Sequence, residues 1–124
     1  MNILRTAQKI SALLEQIASP ARLAILVSIS NGEACVCHLE SVLNKRQAYI
    51  SQHLMALRQA GIITSHRDGR FVYYRLADPA LLDLIRDAGR LAGVDITPPI
   101  PIVTCFCPNC ADSKPAFIPL SVKA

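Results

Sequence analysis

The residues of this chain best equipped for chemistry are its cysteines. Five occur among 124 residues, as Cys35-Val36-Cys37 in the first third and as Cys105-Phe106-Cys107-Pro108-Asn109-Cys110 near the end. An odd number of thiols in a chain whose opening does not read as a secretory signal argues against a disulfide framework and for metal binding or redox sensing. Cys105 and Cys107 fall on one side of an extended segment, and the Pro108-Asn109 centre of the CxxC favours a tight turn that brings Cys107 and Cys110 together. These spacings suit a soft metal. Three arrangements stay open: the later cysteines share a site with Cys35 and Cys37, within or across subunits; they form a separate site, zinc included; or they hold no ligand. A redox alternative, in which paired thiols switch by disulfide or polysulfide formation, uses the same residues. Haem is suggested only by Cys107-Pro108. Thiol oxidoreductase activity, and enzymatic function generally, is not expected, because the CxxC lies in a proline-rich stretch rather than where a strand opens a helix.

A second group of residues is basic. Lys45, Arg46, Arg58, Arg67, Arg70 and Arg75 stand against Asp68 alone between positions 45 and 75, a local charge of +5 in a chain whose total is +4. Charge concentrated in this way is the footprint of a polyanion-binding face. Gln47, Tyr49, Gln52 and His53 lie away from the apolar positions Ile50, Leu54 and Leu57, so they can reach base edges. Lys45, Arg46, Ser51, Arg67 and Arg70 suit phosphates.

These groups need elements to hold them. Ile3, Leu4, Ala7, Ile10, Leu13, Leu14 and Ile17 recur at three- and four-residue steps and predict a first amphipathic helix. Ser19-Pro20 opens a second, which Asn31-Gly32 stops. A short third helix is expected from about Val36 to Leu43. After the polar turn Asn44-Lys45-Arg46 comes a fourth, ending near Ala60-Gly61. From Ile63 the period alternates, and Asp68-Gly69 predicts a hairpin running to Leu76. Asp78-Pro79 caps a last helix, reaching Leu91, with an apolar face broad enough for a partner subunit.

The expected fold is therefore mainly α with a small β-hairpin: a winged helix-turn-helix over residues 1–93, followed by an extended tail over 94–124 that holds six of the eight prolines. The fourth helix would enter the major groove of double-stranded DNA, with the hairpin reaching along the backbone or into the minor groove. No run approaches the eighteen or so apolar residues of a membrane helix, and the opening segment carries Arg5, Lys9 and Glu15. A soluble cytoplasmic protein without a membrane partner is expected.

From Ser19 to Leu91 the chain resembles the ArsR/SmtB family of metal-responsive winged-helix repressors. The resemblance is carried by Ser19-Pro20-Ala21-Arg22-Leu23, Glu33-Ala34-Cys35-Val36-Cys37-His38-Leu39, Ile50-Ser51-Gln52-His53-Leu54, Leu57-Arg58-Gln59-Ala60-Gly61 and Arg67 through Leu76. It implies a homodimer paired through the first and last helices, bound to a near-palindromic operator and released by an effector. Cys35-Val36-Cys37 is similar to the arsenic-binding segment of the arsenite-responsive members. As(III) or Sb(III) is accordingly the expected effector, with Cd(II), Pb(II), Hg(II) or Zn(II) as alternatives. Glu40 stands where those sensors carry a third cysteine, and all three histidines, His38, His53 and His66, precede the last helix, so the zinc site of other members is not expected. Placed on a regular helix, Cys35 and Cys37 would point about 200° apart. One ion could then join them only if the first turn unwound, moving the helix beneath the recognition helix.

Overall fold

Five helices and three short strands make up the computed structural model, which describes residues 2–97. In order they are α1 (Ile3–Ile17), α2 (Pro20–Ile29), β1 (Ala34–Cys35), α3 (Val36–Leu43), α4 (Gln47–Gln59), β2 (Ile63–Asp68), β3 (Phe71–Leu76) and α5 (Ala80–Leu91). Cys105, Cys107 and Cys110 lie outside the described residues, as does nearly all of the expected tail.

Local chemistry sets most boundaries. The Asn2 side chain accepts from the backbone N–H groups of Leu4 and Arg5 at 3.0 and 3.3 Å and so starts α1. Ser19 does the same for α2 through the Arg22 N–H, with Pro20 at the first helical position. That helix ends at Ile29, slightly ahead of the expected Asn31-Gly32 stop, because Ser30 adopts a positive φ of 53°. Asn44 closes α3 in the left-handed conformation. Asp78 accepts from the Ala80 N–H at 2.9 Å and opens α5.

The hairpin differs from expectation in its turn. Asp68 pairs with Phe71, so the loop is Gly69-Arg70 rather than Asp68-Gly69. Gly69 has φ of 65°, and Arg70 is not among the residues of positive φ. Glycine at the first central position alone is the pattern of a type II′ turn, whose twist matches the strands it joins.

The sheet also holds a strand that the alternating pattern did not announce. Its order is β1-β3-β2, all antiparallel, with Ala34 opposite Tyr74 and Cys35 opposite Tyr73. Cys35 is thus the last residue of a strand and the N-cap of α3, not a residue within that helix.

Ile25, Leu26, Ile29, Leu39, Ile50, Leu54, Leu57, Ile63 and Leu82 are fully buried and join α2 to α5 and the sheet into one core. Each such side chain contributes about 1.5–3 kcal/mol relative to an exposed one. On α1 only Ile17 is buried, whereas Ile3, Leu4 and Ile10 are 77%, 65% and 54% exposed. α5 turns Leu82 and Ile85 inward and leaves Leu84 and Leu91 outside. Beyond it the chain folds back: the Val94 N–H donates to the Gly89 carbonyl at 2.9 Å, and Ile96 packs on the core. Among the described residues no single helix is long and apolar enough to cross a membrane.

Candidate functional site

α3 and α4, joined by the Asn44-Lys45-Arg46 turn, form the helix-turn-helix, and β2–β3 form the wing. Ile50, Leu54 and Leu57 anchor α4 inward. Gln47, Tyr49 and Gln52 are exposed, as are Lys45 and Arg46 before them, and Ser51 is half-buried at the edge of that face. The Lys45 ammonium lies 5.3 Å from the centre of the Tyr49 ring, which holds the ring beside the positive turn. Arg67 and Arg70 are exposed at the wing tip, the Arg70 guanidinium 5.9 Å from the Phe71 ring. Met55 escapes a reading that looks for polar groups. It is 61% exposed and stands three residues after Gln52 on the same outward stripe, where it could meet a thymine methyl.

His53 has an intramolecular partner. Its Nδ1 accepts from Arg22 Nε at 3.2 Å, while Arg22 Nη1 donates to the Gln16 carbonyl at 3.0 Å and to its side-chain oxygen at 3.2 Å. One guanidinium therefore joins the end of α1, the start of α2 and the middle of α4. Accepting at Nδ1 requires a neutral imidazole, and burial together with the positive Arg22 holds the His53 pKa below its ordinary value. Arg58 makes a second tie, from α4 to Ser65 of β2, at 3.2 Å.

The sulfur site lies on the other side of the wing. Cys35 is extended, with φ −89° and ψ 168°, while Cys37 is in the first turn of α3, and their Sγ atoms are 3.1 Å apart. This corrects the 200° separation expected for two helical residues: one of them is not helical, so no turn has to unwind for both sulfurs to meet. Cys35 is buried beside Tyr73, with Cys37 and Phe71 packed against that pair. Glu33, just before β1, bridges to both wing strands: Arg75 Nη2 donates to Glu33 Oε2 at 2.9 Å, and His66 Nδ1 lies 3.3 Å from the same oxygen. His38 is half-buried, and its desolvation lowers its pKa. Among the described residues no group of three His, Cys, Asp or Glu side chains could hold a metal, so His38 and Glu40 do not complete a set with the two sulfurs. Two sulfurs this close are within reach of one ion at metal–sulfur distances of about 2.3 Å. A third ligand must come from elsewhere.

Residues 19–65 match the model of the bacterial regulatory protein, arsR family. A solved structure of reduced HlyU from Vibrio cholerae shares 30% identity and superposes with a TM-score of 0.66, over 72% of this chain and 94% of that one. The chain belongs to the arsR family. Among its curated relatives is a transcriptional repressor named SmtB from Mycobacterium tuberculosis, 42% identical over 83 residues. That match takes in 67% of this chain, and the chain spans 62% of the relative's length. An arsenic resistance transcriptional regulator from Pseudomonas putida is 48% identical over 56 residues, 45% of this chain and 43% of that protein. The family match spans α2 to the start of the wing, taking in the helix-turn-helix and the Cys35/Cys37 segment.

Proposed function

We propose that the chain is a homodimeric transcriptional repressor whose hold on an operator is released when a thiophilic metalloid, As(III) or Sb(III), binds the reduced sulfurs of Cys35 and Cys37. The observation that carries this reading is the 3.1 Å separation of those sulfurs at the junction of wing and helix-turn-helix. A relative named for arsenic resistance supports the choice of ligand. Soft trivalent ions supply strong thiolate bonding and little else, so the protein's part is to hold two sulfurs close and keep water from them. Cys105, Cys107 or Cys110 provides the third thiolate in this reading, from the same subunit or its partner.

On the DNA side, α4 offers Gln47, Tyr49, Gln52 and, through its remaining edge, His53 to bases in the major groove, while Lys45, Arg46, Ser51, Arg67 and Arg70 meet phosphates. The second copy covers the apolar face of α1, where Ile3, Leu4, Ile10, Leu13 and Leu14 are exposed together, and the outward leucines of α5.

A second reading uses the same close approach of the two sulfurs, 3.1 Å apart: they answer to oxidation rather than to a metalloid. One experiment separates the two. A duplex selected by the full-length reduced protein from a random pool is titrated with it in the presence of As(III), Sb(III), Cd(II), Zn(II) or a mild oxidant. Release by As(III) or Sb(III), abolished by Cys35→Ser or Cys37→Ser, is expected. Release by oxidant alone, reversed by a dithiol, selects the redox reading, and release by nothing overturns both.

A further inference from the structure

We propose that the sulfur site acts on DNA binding through the wing rather than through the recognition helix, with Glu33 and Phe71 as the positioning residues that couple them. This rests on the thiol-effector reading above. The route by an unwinding α3 loses its reason once Cys35 is extended and the sulfurs already adjoin. The contacts from those sulfurs lead instead to β3. Cys35 sits opposite Tyr73 in the ladder, and the buried Cys35–Tyr73 pair has Cys37 and Phe71 against it. Phe71 directly follows the turn residue Arg70, whose guanidinium lies over its ring. A ligand seated between the sulfurs thus adds bulk where Phe71 packs, one residue from a wing-tip arginine.

Glu33 adds a second connection. β1 has only two residues, too few to fix its register on β3 by ladder bonds alone. The Glu33 carboxylate, mostly shielded with 19% of the side chain exposed, grips Arg75 on β3 and lies against His66 on β2. A displacement of Cys35 is therefore passed to both strands of the hairpin. The recognition helix is fixed to the body by Arg22 on His53 and by Ile50, Leu54 and Leu57 in the core, and Arg58 ties it to Ser65 at the base of the wing. The side chains around the sulfurs, Tyr73 and Phe71, belong to the wing strand β3.

The test uses reduced full-length protein, arsenite as probe and the selected duplex. Arsenite binding is followed by sulfur-to-arsenic absorbance and release by fluorescence anisotropy. In Glu33→Gln and Phe71→Leu, arsenite binding is expected to persist while the ratio of DNA affinities without and with arsenite, typically about 5–150-fold in coupled systems, falls below about threefold. A wild-type ratio in both variants would overturn the proposal. If either variant fails to fold, the wild-type protein labelled with ¹⁵N and 3-fluorotyrosine gives an independent answer. On adding arsenite, the wing-tip amides of residues 68–70 and the Tyr74 fluorine are expected to shift, and the Tyr49 fluorine on α4 to stay. The reverse pattern refutes the wing route. Absence of any arsenite absorbance would instead sink the thiol-effector reading on which it stands.

Discussion

Replacing Arg22 by methionine keeps an unbranched apolar stem and removes every donor, which makes it the cleanest test of how α4 is fixed to the body. Three hydrogen bonds disappear, to His53 Nδ1 at 3.2 Å, the Gln16 carbonyl at 3.0 Å and the Gln16 side chain at 3.2 Å. They do not weigh equally. The Gln16 groups lie at the end of α1, where water can replace the guanidinium, so each costs about 0.5–1.5 kcal/mol at most. His53 Nδ1 is partly buried, and leaving it without a donor costs about 1–3 kcal/mol. The sum runs from about 2 to 6 kcal/mol, and because His53 Nδ1 is only partly buried the lower end, near 2 kcal/mol, is expected, lowering Tm by roughly 8–16 °C for a domain of this size. The assay is thermal and urea unfolding at fixed protein concentration. A pH series adds a check on cause. The unfolded His53 binds a proton near 6.5 and the folded one only at lower pH, so the unfolded state holds more protons in that window and stability falls as pH drops through it. Desolvation is the larger cause and Arg22 the smaller, so Arg22→Met should flatten this acid loss without abolishing it. A change under about 0.5 kcal/mol with an unaltered pH slope would refute the network's role.

Other consequences are open to direct measurement. Ile10→Glu with Leu14→Glu, on the uncovered face of α1, should turn a dimer into a folded monomer in sedimentation velocity while leaving the helical signal in place; a persistent dimer would locate the interface elsewhere. Arg67→Ala with Arg70→Ala should weaken DNA binding uniformly across sequences and lower the salt slope by about 0.9 for each phosphate no longer neutralised, whereas Gln52→Ala should change sequence preference at one position. Gly69→Val should destabilise the wing by about 1 kcal/mol or more, because φ of 65° disfavours a β-branched residue, with unfolding by urea as the readout.

The helices are legible in the sequence because their signals are local. Ser19-Pro20, the Ile50/Leu54/Leu57 spacing and the Ile63–Leu76 alternation each lie within one turn or one hairpin of the structure they specify, and the predicted core positions on α4 are the buried ones. β1 is not legible, for the opposite reason. A strand of two residues has no period, and it exists only because Tyr73 and Tyr74 arrive beside it from far along the chain. The misplacement of Cys35 follows from that omission, since a residue read as helical has its sulfur aimed the wrong way. His53 shows the same limit. Its exposure pattern on α4 marks it as a base-reading candidate, but Arg22, 31 residues earlier, occupies one of its two nitrogens.

The arrangement also explains how a small ligand could govern a much larger interface. A switch buried under α4 would have to move the helix that shares the core with Ile25, Leu26 and Leu57, and a close-packed core resists such displacement. The wing is different: its tip residues, from Arg67 to Arg70, are exposed, and its tie to the body near the sulfurs rests on a two-residue strand and one carboxylate. If Arg67 and Arg70 meet phosphates as proposed, displacing the hairpin that carries them removes electrostatic attraction to DNA without disturbing the core. A ligand then needs a differential affinity of only a few kcal/mol between the two wing positions to change occupancy of the operator, within the range that coupled binding sites commonly reach.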